Sequence, residues 1–123
     1  MKRDMELYRK ILFAIEEQCI DTPIYNLKVE NYSIEQIAYH CRILYDANLI
    51  FDYKSQSGDD HIVWFGVGYL TWAGNEYLDK IRNDSVWNKT KDTLKEKGLP
   101  MAFEFVTKVA GAVASHMLPN QMS

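Results

Sequence analysis

The stretch from Ser33 to Leu49 constrains the chain most, because it carries its own start and stop signals. Ser33 with Gln36 three residues later is a capping-box pattern, and Ile34, Ile37, Cys41, Leu44 and Tyr45 recur at helical spacing. Asn48 suits the left-handed position that ends a helix, after which Leu49 and Ile50 can pack back on it. Turning the residues by about 100° each leaves Glu35, Gln36, Tyr39, Arg42, Ile43 and Asp46 on the outer face, with His40 at the edge.

The rest of the chain arranges itself around this helix. Leu7, Tyr8, Ile11, Leu12, Ile15 and Cys19 form the apolar stripe of an earlier helix that Asp21-Thr22-Pro23 stops. The alternation over residues 24–29 fits a short strand or an extended link. Residues 51–54 read as a strand, 55–60 as a polar turn and 61–67 as the returning strand of a hairpin. Thr71 is suited to cap a third helix carrying Trp72, Tyr77, Leu78 and Ile81, and Asp84 or Ser85 restarts the chain as a fourth that ends at Gly98. Pro100 suits the first turn of a fifth, running through Phe103 and Met117 to a stop at Pro119. The expected fold is α+β and mainly helical. Residues 1–82 form a winged helix-turn-helix-like core with a β-hairpin wing, and 83–123 a C-terminal helical extension of the same domain.

Composition removes several function classes. At 123 residues and 47% hydrophobic the chain can bury one core unaided, and a net charge of −3 gives it no overall attraction for nucleic acid or an anionic membrane. Glu104 and Lys108 interrupt its most apolar segment, so no run approaches the ~18 residues of a membrane span. The opening Met1-Lys2-Arg3-Asp4 leads into an acidic amphipathic stretch without an apolar leader, and a reduced, cytoplasmic setting is expected. Cys19 and Cys41 fall on core stripes, and with His40, His61 and His116 they match no zinc spacing; no metal or cofactor is expected. Asp59-Asp60 reads as a solvated hairpin tip. With no nucleophile beside a base, no phosphate-binding glycine loop and no spaced carboxylate pair, the expectation is a protein that is not an enzyme.

Two resemblances bear on function. The run from Tyr39 to Ile50 resembles the recognition helix and following strand of winged-helix repressors of the ArsR type, with Asn48 where their pattern has Gly. A longer resemblance joins the opening Met1-Lys2-Arg3-Asp4-Met5, Tyr39-His40, the block Leu70 to Asp79 (L-T-W-x-G-x-E-x-L-D) and Asp84 to Lys89 (D-x-x-W-N-K). On these the chain is similar to an uncharacterised bacterial and phage family, domain of unknown function twenty-five-thirteen; Ala73 departs from the acid expected there in many members. That resemblance implies a small winged-helix-like protein often carried by phages and prophages, with no catalytic residue.

The leading expectation is a non-enzymatic, DNA-associated regulator of phage or prophage origin that binds duplex DNA weakly. Gln36, Tyr39, His40 and Arg42 would meet the groove, and Lys54, Ser55 and Gln56 in the wing the backbone. Against it, residues 1–70 hold seven Lys and Arg and eleven acids, and residues 20–32 leave little room for the first helix of a helix-turn-helix. The rival is a protein-interaction module on the same scaffold, with a host or phage protein as partner. Residues 80–97 are the most basic segment, six cations against three acids, and read as an exposed helix face or a phosphate contact. Trp64, Phe65, Trp72, Tyr77 and Trp87 read as core. The stripe Val106, Val109, Ala110, Val113 and Met117 is expected either to pair two copies as a dimer or to fold back over Ile11 and Ile15.

Overall fold

The computed structural model describes residues 1–117. Its elements are α1 (Met5–Gln18), β1 (Ile24–Tyr25), α2 (Ile34–Asp46), β2 (Tyr53–Gly58), β3 (His61–Val67), α3 (Trp72–Ile81), α4 (Asp84–Glu96) and α5 (Phe103–Met117). The fold is α+β and mainly helical. Two compact units divide the chain between Glu76 and Tyr77.

In the first unit, Asp4 caps α1 by accepting from the Glu6 and Leu7 amides, and the α1 stripe Leu7, Ile11, Leu12 and Ile15 is fully buried. On α2 the capping box forms: Ser33 Oγ accepts from the Gln36 amide at 3.1 Å, and Gln36 Oε1 from the Ser33 amide at 2.8 Å. At the other end Asn48 sits at φ 63°, with its amide on the Tyr45 carbonyl and the Leu49 amide on that of Leu44, both at 2.9 Å. These two bonds make a Schellman turn. Ile37, Cys41 and Leu44 of α2 join the α1 stripe, Phe65 and Val67 of β3, and Ile50 in the core.

The sheet has the order β1-β3-β2, antiparallel throughout. The hairpin is longer than the sequence suggested. Ser55, Gln56 and Ser57 are strand residues opposite Phe65, Trp64 and Ile62, and the turn is only Asp59-Asp60. Both aspartates have positive φ, 46° and 66°, as a two-residue type I′ connection requires. The strand was hidden because its residues are polar on both faces and exposed from Lys54 to Ser57, so it lacks the alternation that marks a half-buried strand. Residues 26–33, where a helix-turn-helix would place its first helix, carry only turns and extended chain.

Two corrections concern α1 and α3. Cys19 lies just past α1 at its cap, half-buried, with Sγ donating to the Thr22 carbonyl at 3.3 Å, and so has left the core stripe; Cys41 is fully buried. Trp72 was expected in the core and is 81% exposed at the first turn of α3, whereas Phe65, Tyr77 and Trp87 are buried and Trp64 is half-buried.

In the second unit, α4 is capped by Asn83, one residue before the expected start, through a 3.0 Å bond from the Val86 amide. Gly98 at φ 67° closes it with a second Schellman turn, the Leu99 amide on the Leu94 carbonyl at 2.9 Å. Helix α5 begins at Phe103, three residues after Pro100, and packs along α4, whose Val86, Trp87, Thr90 and Leu94 are buried. Val106, Ala110 and Val113 are buried too. Of the stripe expected to pair two copies or to fold back over Ile11 and Ile15, these three residues are covered within the second unit, where α5 packs on α4. Val109 stays half-buried and Met117 exposed. The expected stop at Pro119 lies outside the described residues.

Candidate nucleic-acid interface

The expected interface joins the outer face of α2 to the wing, and α2 packs against both wing strands. Arg42 is exposed on the helix, and Lys54, Ser55 and Gln56 are exposed on β2. These four side chains are open to solvent, those of Lys54 and Gln56 on one face of the strand and Ser55 on the other.

The other three are engaged elsewhere. His40 is 1% exposed, with Nε2 accepting from the Asp4 amide at 2.9 Å and Nδ1 facing the Gln36 carbonyl at 2.7 Å. A backbone donor at Nε2 needs a lone pair there, which leaves the proton on Nδ1 to donate to Gln36. The ring is flanked by Tyr8 at 5.0 Å and by Tyr39 at 5.5 Å, the latter edge-on. His40 therefore cannot touch a base, and Tyr39 is half-buried as part of its setting. The Gln36 side chain is turned back to the helix start, where its Oε1 accepts from the Ser33 amide. On the wing, Gln56 accepts from the indole N–H of its cross-strand partner Trp64 at 2.7 Å, which ties its amide to β3.

Charge points the same way. The unit Met1–Glu76 carries seven Lys and Arg against twelve Asp and Glu, and the surface beside Arg42 includes Glu35 and Asp46. Phosphate binding needs several cations released from competing acids, and here the field is negative.

Sequence reasoning missed a different surface on the same unit. Phe51 and Tyr69 are neighbours across the base of the hairpin, the Phe51 amide donating to the Tyr69 carbonyl at 2.8 Å. Their rings stack at 4.8 Å and 11°, yet they are 59% and 48% exposed. Tyr69 also lines a hollow of about 360 Å³ with Cys19, Ile20 and Asn75, and Ile20 is 88% exposed. Trp72 lies one turn before Asn75 on α3. The available signal was the apolar Ile20 directly after the helix end, outside any stripe.

The motif residues converge on structural joints. Asp4, from the opening block, meets His40 and also accepts from the Tyr32 hydroxyl at 3.1 Å; burial, with this bond, holds that phenol above its ordinary value. Thr71 clamps the turn after α2: its hydroxyl donates to the Asn48 carbonyl at 2.6 Å and accepts from the Gly74 amide at 3.0 Å, while its own amide donates to the Leu49 carbonyl at 3.1 Å. In the last block Trp87 is 1% exposed beneath the ammonium of Lys91, 5.6 Å from the ring centre. Among the described residues no group of three metal-binding side chains occurs, and no helix is long and apolar enough to cross a membrane.

Comparison with known proteins agrees with the motif reading. The family model described as "Hypothetical protein (DUF2513)" matches residues 2–100, which hold every one of these joints. An uncharacterized protein of Haemophilus influenzae strain Rd is 37% identical over 121 residues, covering 96% of this chain and 99% of the relative. No solved structure gives a significant match. The chain belongs to the family described as Hypothetical protein (DUF2513).

Proposed function

We propose that the chain is a non-enzymatic protein-interaction module that keeps a wing-bearing scaffold and docks a partner protein through its first unit. The observation that carries this reading is the exposed aromatic surface, the Phe51–Tyr69 stack beside Ile20, with Trp72 nearby in the chain. Large aromatic side chains left open on a small domain mark interfaces, where Tyr and Trp carry much of the binding energy. The acidic balance of this unit favours a protein partner over a polyanion.

A second reading is weak duplex DNA binding through Arg42 and Lys54, favoured by the exposure of both on the helix and wing. One comparison separates the two. In nuclease-treated lysate, wild-type protein should capture a partner that the folded triple variant Phe51→Ser, Tyr69→Ser, Trp72→Ser loses and Arg42→Ala/Lys54→Ala keeps. A mobility shift with random duplex at ~50 mM salt, abolished by Arg42→Ala/Lys54→Ala with a salt slope lower by about two, would overturn the protein reading.

A further inference from the structure

We propose that the groove between α4 and α5 is a docking site for an acidic amphipathic helix of a partner protein. It lies wholly within the second unit and is independent of the aromatic surface above.

The groove holds about 430 Å³, with buried Val113 at its base, half-buried Thr93 of α4 and Val109 of α5 flanking it, and Ala112, His116 and Met117 exposed at its margin. The lining positions recur at helical spacing on both sides, Lys89, Thr93 and Lys97 on one helix and Val109, Val113 and Met117 on the other. Eight steps of the α-helical rise, over nine residues, make a trough about 12 Å long on each side, the span of roughly two turns. An open trough between two helices takes a third rod more readily than a compact solute, and Ala112 and Thr93 let its backbone come close.

The rim decides the charge of the occupant. Lys89 and Lys97 stand on the α4 side and Lys108 and His116 on the α5 side, and among the described residues lining the groove none is an acid. Lys108 Nζ lies 3.5 Å from the Glu104 carboxylate, with both side chains more than 70% exposed, a pairing that a partner's carboxylate can replace at little cost. A helix with apolar residues at i, i+4 and i+7 and Glu or Asp beside them therefore meets apolar floor and cationic rim together. A second copy of this chain fits poorly. Two-fold pairing of the groove would bring its lysines onto lysines, and the acid-rich helix α1 has its own stripe of Leu7, Ile11, Leu12 and Ile15 fully buried.

The test uses the full chain and a fluorescein-labelled helical peptide of about 14 residues, with Leu at i, i+4, i+7 and i+11 flanked by Glu, beside a twin carrying Lys for Glu. Anisotropy should show micromolar binding of the Glu peptide at ~50 mM salt, at least about tenfold tighter than its twin. Lys89→Glu/Lys97→Glu should weaken it by about tenfold or more, and Ala112→Trp, which sets an indole across the groove's open side, should abolish it, with far-UV circular dichroism unchanged in both. Equal binding of the two peptides, or none to wild type at ~200 μM, overturns the proposal. So does uptake of laurate in place of the peptide, or a gain of more than about tenfold when residues 118–123 are removed, which would make the chain's own end the occupant.

Discussion

Gly74 and Gly111 both sit within helices, and replacing each by alanine should move stability in opposite directions. A Cβ on Gly74 would overlap the carbonyl oxygen of Leu49 and lie 2.9 Å from its carbon, closer than real Cβ atoms come, and both atoms are backbone and cannot rotate away. Helix α3 must then withdraw by about 1 Å from the turn after α2, a misfit that typically costs 1 to 3 kcal/mol. The withdrawal stretches the Thr71 bonds to Asn48 at 2.6 Å and to Leu49 at 3.1 Å. Each is worth about 1 kcal/mol. Removing a helical glycine returns about 0.5–1 kcal/mol, so Gly74→Ala should lose roughly 2–4 kcal/mol. Gly111 has no heavy atom within 4 Å of the same position, so Gly111→Ala should keep the full gain of about 0.5–1 kcal/mol. Urea unfolding followed by circular dichroism and tryptophan fluorescence reads both, each transition being fitted separately if the two units melt apart. A Gly74→Ala protein within ~0.5 kcal/mol of wild type, or a Gly111→Ala protein destabilised as much, would refute the close-approach reasoning.

The tryptophans give a second pair. Trp87→Ala empties a buried site and should cost about 3–5 kcal/mol, whereas Trp72→Ala, at 81% exposure, should stay within about 1 kcal/mol of wild type by the same denaturation. The thiols give a third. Cys41 is buried and its thiol is pushed well above the ordinary range by that burial, while half-buried Cys19 is raised less, by burial and then by Asp21. Ellman's reagent should titrate Cys19 in the native protein and Cys41 only once urea is added; rapid native reaction of both would show that the core around Cys41 opens.

What the sequence disclosed is mostly local. Caps and stops depend on neighbours within one turn, so Ser33 with Gln36, Asn48 and Gly98 could be read directly from residue types. His40 was placed at an edge because its burial depends on Asp4, 36 positions away, whose amide no helical wheel contains. Trp72 was misplaced for the converse reason: an aromatic at helical spacing reads as core, and only the packing of the first turn of α3 leaves it open. The α5 stripe is apolar as read, but its partner was sought in a second copy or in Ile11 and Ile15, since α4 is the more polar helix by composition and still buries Val86, Trp87, Thr90 and Leu94. The candidate DNA contacts suffered most. Polar residues were assigned to a ligand, when Gln36 and His40 instead satisfy the backbone of their own fold.

The polar run of β2 has a consequence for how the protein behaves at high concentration. In the order β1-β3-β2, β2 is an outer strand, and such strands present unpaired amides and carbonyls on which another chain can extend the sheet. Here that outer strand reads Tyr-Lys-Ser-Gln-Ser-Gly, with one ammonium, no β-branched residue and an irregular register between Gln56 and Ser57 that breaks the straight ladder a newcomer would need. Within the hairpin the β-branched residues, and every aromatic but Tyr53, are on β3, which has a strand on either side. A wing built this way can stand out from the body, exposed along most of one strand, without seeding the edge-to-edge stacking from which fibrils grow.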